Sequence, residues 1–257
     1  MNRKRVSAVL LMGAIVVTSI NGNLVKSNAY EINSSNTLVD DYYNLLDEET
    51  KEMMDKEDVK VEETVKGKTK TIKIKNKDNE IISETTITEL TEEEVIRKTM
   101  KSEGITYKEA SKIIKDEVRK VQEKYSLSRT QAERLTSWHY KSNVKTHSFG
   151  VTSPKTELYG DYLLYRSGSF GSIEQIRNVG MKPASSGSFT LSNVNARHMV
   201  TSFPTTSGPL RGDANLLIKT NYSAAMELQK KGFTVTGGVD GVYHCRKSIM
   251  HAYTYSI

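Results

Sequence analysis

Residues 106–125, TYKEASKIIKDEVRKVQEKY, carry the clearest structural pattern in the sequence. Apolar side chains recur there at three- and four-residue spacing, with lysines and glutamates between them. The members of this stripe are Tyr107, Ala110, Ile114, Val118, Val121 and Tyr125. Such spacing is typical of an amphipathic helix. We therefore expect a helix here that buries one face against another part of the chain.

Helix start signals of one kind occur three times around this stretch. The pairs Thr91 with Glu94, Thr106 with Glu109 and Ser128 with Gln131 each fit a capping box, in which two side chains satisfy free backbone amides. Gly104 lies where the first helix would end. The sequence predicts a helical connector over residues 91–140.

Three short helices are also compatible with a helix-turn-helix that binds DNA. The second candidate helix, residues 129–140, has only Arg129 and Arg134 as cations. We expect no nucleic-acid partner, because phosphate contacts need more positive charge.

Before the helices, residues 64–90 read as a β-hairpin. Two β-prone runs flank the polar turn formed by residues 76–79. Its faces are only weakly apolar, so the hairpin needs a partner surface. The preceding residues 30–63 are polar and acidic, which predicts an acidic leader.

After the helices, residues 141–257 read as a basic domain that mixes strands and helices. Strands are predicted near 144–152, 158–166, 188–194, 214–220, 233–236, 241–246 and 249–256, and helices near 171–179 and 221–231. The order lacks a regular β-α-β alternation, which favours α+β. The predicted fold is thus mixed α+β, with a mainly antiparallel C-terminal domain behind a short hairpin and a small helical region.

The first 29 residues have the pattern of a secretory signal peptide. A basic start (Arg3, Lys4, Arg5) precedes an apolar run over residues 6–20, and the small residues Ser27 and Ala29, at positions −3 and −1, favour cleavage before Tyr30. The alternative is a membrane anchor, but the run falls short of the roughly 20 apolar residues that span a bilayer. We expect a secreted, bacterial protein that does not span a membrane after cleavage.

Length and charge bound the remaining possibilities. The 257 residues include Gly 16, Pro 4 and Cys 1, which excludes collagen, low-complexity and disulfide-scaffold classes. Removing the four basic residues of the signal lowers the net charge from +6 to +2. Residues 30–124 then carry net −6 and residues 125–257 net +8. The two parts pair with each other, or the basic part binds an anionic ligand.

All five histidines lie after residue 138, but none has the spacing of a metal motif: His139, His147, His198, His244 and His251. The single Cys245 follows His244, which suggests a Cys-His nucleophile. Neighbours on a strand point to opposite faces, so a small buried hydrophobe is the preferred interpretation of Cys245. We predict no metal site.

One stretch carries a motif. YLLYRSGS at residues 162–169 reads as a strand ending in Arg166 and a Ser/Gly turn, and the predicted helix at 171–179 stops at Gly180. This resembles the opening motif of the ADP-ribosyltransferase toxin family, in the branch that a leading arginine defines. The resemblance implies NAD as a substrate, with Arg166 holding its nicotinamide mononucleotide half, and no metal.

The other two motifs of that family are degraded or absent. LLIKTN at residues 216–221 resembles the family's second strand, with Thr220 as the retained hydroxyl; Thr205-Thr206-Ser207 is a rival placement. The third motif supplies a glutamate, but no glutamate follows Glu227, and Asp240 is the last acid.

Two functions follow from these observations. The first is NAD-dependent ADP-ribosyl transfer, or an inactive relative, with a cleft that places Arg166, Thr220 and Tyr243 around one point and with catalytic residues unknown. The second is a secreted binding or cell-envelope accessory protein with no enzymatic role and an unidentified protein or envelope partner.

Overall fold

The computed structural model of the chain describes residues 26–31, 59–185, 187 and 189–257, with side chains from residue 59 onward. These residues form two antiparallel sheets and four α-helices. The predicted mixed α+β class is confirmed.

Sheet A is a meander in which each strand pairs with the next one along the chain. Its seven strands are β1 Lys26–Glu31, β2 Lys60–Lys66, β3 Thr69–Lys75, β4 Ile81–Leu90, β5 Thr136–Thr146, β6 Lys155–Ser167 and β7 Phe170–Pro183. The connection from β4 to β5 holds three helices: α1 Glu92–Glu103, α2 Tyr107–Lys124 and α3 Arg129–Leu135.

Sheet B follows sheet A in the chain and has the strand order β10-β11-β9-β8. Its elements are β8 Phe189–His198, β9 Ser207–Thr220, α4 Tyr222–Lys230, β10 Thr234–Gly237 and β11 Tyr243–Ser256. The long strands β9 and β11 pair along their full length.

Two apolar cores hold the layers together. The first lies between the sheets and joins β6 and β7 to β9, β11 and α4; it includes Tyr162, Leu164, Leu210 and Tyr253. The second lies on the other face of sheet A, where α1 and α2 cover Trp138 and Leu163. Alternation along β6 explains both cores, because Leu163 and Leu164 point to opposite faces.

The predicted helix starts are confirmed. Thr91, Thr106 and Ser128 each cap a helix with both hydrogen bonds of a capping box. Gly104 ends α1 in the left-handed conformation, with φ 66°. This position favours glycine because the left-handed backbone conformation is strained for a residue that has a Cβ atom.

The predicted hairpin is also present, as β3 and β4 paired antiparallel around residues 76–80. It is not isolated: β2 extends it on one side and β5 on the other. The last residues of the predicted leader, 60–63, belong to β2. Residues 32–58 of that leader and residues 1–25 of the predicted signal lie outside the described part.

The predicted helix at residues 171–179 is wrong. This segment is strand β7, paired with β6, and Gly180 lies inside the strand. A bulge explains the error, because the register shifts between Leu163 and Leu164 so that the two strands skip one residue of β7. Ile173 and Ile176 therefore both face the core at a three-residue spacing that imitates a helix.

Several predicted boundaries also differ. The runs 241–246 and 249–256 are one strand, β11, and residues 136–140 of the predicted connector belong to β5. The strand β5 crosses the predicted start of the C-terminal domain at residue 141.

Candidate functional site: a cationic cavity between the sheets

The three residues predicted to share one cleft lie at two ends of sheet B. Thr220 and Tyr243 are directly paired across β9 and β11. Arg166 instead donates a hydrogen bond of 3.3 Å to the Tyr255 hydroxyl, at the far end of β11. Tyr243 and Tyr255 are separated by about 40 Å along the strand at a rise of roughly 3.3 Å per residue. The structure brings together Thr220 and Tyr243, and it places Arg166 elsewhere.

The structure also places the other candidate site residues that the sequence suggested. The rival hydroxyl segment lies at the Arg166 end, where Ser207 pairs with Ser256 and Thr205 bridges to Ile173. Asp240 lies in a 3-10 turn just before Tyr243, far from Arg166. Cys245 is fully buried, and burial raises the pKa of its thiol, which confirms the interpretation as a small core residue.

Arg166 borders a cavity of about 590 Å³ between the two sheets. Strands β3, β4, β5 and β6 contribute one wall, and the end of β11 contributes the other. Its lining includes the cations Lys70, Lys141 and Arg166, together with the rings of Tyr253 and Tyr255. The volume lies within the roughly 300–1,000 Å³ of small-molecule sites. We call it the cationic cavity, defined by Lys70, Lys141 and Arg166.

No acidic side chain of the described part of the chain lines the cationic cavity. Lys70 forms an ion pair of 2.8 Å with Glu63 outside the lining, and Arg166 contacts the neutral Tyr255 hydroxyl. Among the described residues, no hydrogen bond or ion pair involves the Lys141 amine. Arg166 therefore has no acidic partner among the described residues, and its positive charge favours an anionic ligand.

Lys141 is the most unusual of these cations, since only 1% of its surface is exposed. Its Nζ lies 2.7 Å from the centre of the Tyr255 ring and 5.8 Å from that of Tyr162. Burial, with a further contribution from the charge of Arg166, lowers the pKa of Lys141 to about 6. The amine is therefore mainly neutral at pH 7.

Strand alternation in β5 explains why a lysine lies here. Trp138 packs beneath the helices and Tyr140 lies under Lys98 of α1. The residues between them and after them, His139 and Lys141, consequently face sheet B. Sequence reasoning missed Lys141, because β5 has polar residues on both faces and the pattern does not show which face is covered.

His139 lies beside Lys141 on the same face. Burial first, and then the charges of Lys141 and Arg166, lower its pKa to about 4. Its Nε2 is 2.9 Å from the Ser137 hydroxyl, while its buried Nδ1 has no hydrogen-bond partner among the described residues. A buried polar atom without a partner is uncommon.

A buried polar network forms the rigid side of the cavity. The amide nitrogen of Asn143 donates to Thr85, and its oxygen lies 2.8 Å from His251 Nε2. The other nitrogen of His251 is 3.1 Å from the Thr156 hydroxyl, which also meets His147 at 2.9 Å. Since the Asn143 oxygen only accepts, His251 Nε2 carries a proton. The network joins β4, β5, β6 and β11 where Thr85 reaches the cavity.

A second cavity, of about 550 Å³, lies beside α1 on the other side of sheet A. Of its three lysines, Lys98 lies 2.7 Å from Asp161 and Lys182 lies 3.2 Å from Glu157, while Lys101 has no ion pair among the described residues. Two of its three positive charges are therefore compensated.

Among the described residues, no group of three or more His, Cys, Asp or Glu side chains is arranged to hold a metal ion. None of the described helices is both long and apolar enough to cross a bilayer.

Comparisons with known proteins find no relative of this chain. No protein-family model matches the sequence, and neither the curated proteins nor the solved structures give a match.

Proposed function

We propose that the protein is an exported binding protein whose cationic cavity holds a small anionic molecule with an aromatic or aliphatic body. The observation that carries this proposal is a cavity of about 590 Å³ whose described lining includes the guanidinium of Arg166, the amines of Lys70 and Lys141, and no acidic side chain. Export rests on the signal-peptide pattern of residues 1–29.

The lining suggests the chemistry of the ligand. The planar guanidinium of Arg166 suits a carboxylate or phosphate, which it binds through two parallel hydrogen bonds. The rings of Tyr253 and Tyr255 and the side chains of Ile72 and Ile87 offer apolar contact to the rest of the molecule. An aromatic carboxylate combines both properties.

ADP-ribosyl transfer is supported less well. Arg166 lies about 40 Å along β11 from Thr220 and Tyr243, and the segment read as the helix of the opening motif is strand β7. NAD binding stays a prediction, since its phosphates suit the same cations. It is included in the test for that reason.

The test is calorimetric titration of the full chain with 4-(hydroxymethyl)benzoate and, separately, with NAD. We expect one benzoate site, weakened about tenfold or more in Arg166→Met, because a charge-assisted hydrogen bond contributes roughly 1.5–3 kcal/mol. The matched control is Arg246→Met, which removes an exposed arginine of β11 and should leave binding unchanged.

Two results would count against the binding proposal. One is no binding of either compound at millimolar concentration. The other is NAD binding that is lost in Arg166→Met, Thr220→Ala and Tyr243→Ala alike, which would favour the transferase instead.

A further inference from the structure

The amine of Lys141 combines three properties that separate it from an ordinary structural lysine. It is buried, it lines a cavity of ligand size, and it has no carboxylate partner among the described residues. A buried ammonium without such a partner is costly. Lysines of this kind serve as nucleophiles in enzymes, because a desolvated amine keeps its lone pair.

We propose that Lys141 forms an imine with the carbonyl group of an aldehyde or ketone that also carries an anionic group, a proposal that rests on the cationic cavity being the ligand site.

The geometry around Tyr255 supports this assignment. Lys141 Nζ lies over the ring face, 2.7 Å from its centre, and Arg166 donates to the hydroxyl of the same ring at 3.3 Å. A ligand lying beside this ring is therefore within reach of both the Lys141 amine and the Arg166 guanidinium. With its carboxylate on Arg166, a small aldehyde presents its carbonyl carbon near the amine.

The surrounding charges keep the amine reactive. The titratable groups lining the cavity are Lys70 from β3, His139 from β5, Arg166 from β6, and Tyr253 and Tyr255 from β11. None of these side chains is a carboxylate that would stabilise the ammonium form. This agrees with the lowered pKa of Lys141, about 6, which burial and Arg166 produce.

The step is balanced without an oxidant or a metal. The Nζ lone pair attacks the carbonyl carbon, and the C=O π electrons move to oxygen, which takes up one proton as the nitrogen loses one. The resulting carbinolamine loses its hydroxyl group and the second nitrogen proton as water while the C=N bond forms. One amine and one carbonyl thus give one imine and one water, and hydrolysis reverses the reaction.

The experiment uses the full chain with 4-formylbenzoate, followed by sodium borohydride, which reduces an imine to a stable secondary amine. Peptide mass spectrometry then locates the label. At pH 7 we expect Lys141 to react roughly 100-fold or more faster than the exposed Lys219, because an ordinary lysine is almost fully protonated at that pH. The labelling rate should rise through about pH 6, following the pKa of Lys141.

Two variants serve as a matched pair. Lys141→Arg keeps a cation but removes the nucleophile, so the fast label should disappear. Lys219→Arg should retain it. Because the comparison of the two lysines is made within the unaltered protein, it does not depend on whether the Lys141 variant folds.

The outcomes separate the two proposals. If 4-(hydroxymethyl)benzoate binds but Lys141 is labelled no faster than Lys219, the imine is excluded and the binding site stands. If fast labelling occurs although the carbonyl-free analogue does not bind, the nucleophile stands and the reversible anion site is excluded. If neither is seen, both proposals fail.

Discussion

The buried amine of Lys141 lowers the free energy of unfolding by an amount that depends on pH. Its pKa is about 6 in the folded chain, against 10.5 as the ordinary value, so the unfolded chain binds the additional proton between these limits. The free energy of unfolding therefore rises with pH across this window, because proton binding to Lys141 stabilises the unfolded chain less and less. Apart from a packing effect that does not depend on pH, we expect Lys141→Met to increase the free energy of unfolding by up to about 5 kcal/mol at pH 7 and by about 1 kcal/mol at pH 10.

Urea unfolding of the wild type and the variant at pH 7, 8.5 and 10 measures this difference. Lys219→Met, at an exposed position of β9, is the control and should show no such trend. A gain from Lys141→Met that is the same at pH 7 and pH 10 would mean that the amine is protonated in the folded protein.

Among the structural elements, the helices that begin with a capping box were predicted correctly, whereas the uncapped segment 171–179 was predicted as a helix and is a strand. A capping box is local: Thr106 and Glu109 form it whatever lies elsewhere in the chain. The side of a strand that is covered depends on distant segments instead. Lys141 shows this, because its burial is set by β11, more than 100 residues further along the chain. The resemblance named Arg166 as a candidate residue, but nothing in the sequence indicated its hydrogen bond to Tyr255.

The contact between the sheets depends on a glycine at the start of β9. A Cβ atom at Gly208 would lie 2.7 Å from Tyr162 Cε1 and 2.9 Å from Ile173 Cδ1. Both side chains are fully buried, so they have little room to move. We expect Gly208→Ala to lower the free energy of unfolding by about 1–3 kcal/mol, the usual cost of overpacking a core.

The matched control for this substitution is Gly237→Ala in β10, where the nearest atom to a new Cβ is Tyr243 Cε1 at 3.9 Å. That variant should be neutral or slightly stabilising, since alanine restricts the unfolded chain. Urea unfolding compares the two. Equal effects at both positions would show that the sheets do not approach as closely at Gly208 as described.

At the scale of the whole molecule, opposite charges join the helical layer to sheet A. The net charges of −6 for residues 30–124 and +8 for residues 125–257 suggested internal pairing. Arg177 of the basic part does pair with Glu103 and Glu117 of the acidic part. Lys98 with Asp161 and Lys124 with Glu174 have the reverse polarity. Pairing is therefore set by local packing, and the positive charge at the cationic cavity is left uncompensated by acidic lining side chains.

The ion pair between Arg177 and Glu117 stabilises the contact between α2 and sheet A. Glu117 of α2 is 8% exposed, accepts from Arg177 at 2.5 Å, and has a second buried oxygen without a partner among the described residues. Arg177→Met would leave this carboxylate buried and unpaired, so we expect a loss of about 3 kcal/mol in the free energy of unfolding. Adding Glu117→Gln should recover at least about 1 kcal/mol, because the remaining group is neutral and can still bond Gln175.

Urea unfolding of the two single variants, the double variant and Arg246→Met as the exposed control measures this coupling. If the double variant shows the sum of the two single losses, Arg177 and Glu117 act independently, and this ion pair does not stabilise the contact between the helices and sheet A.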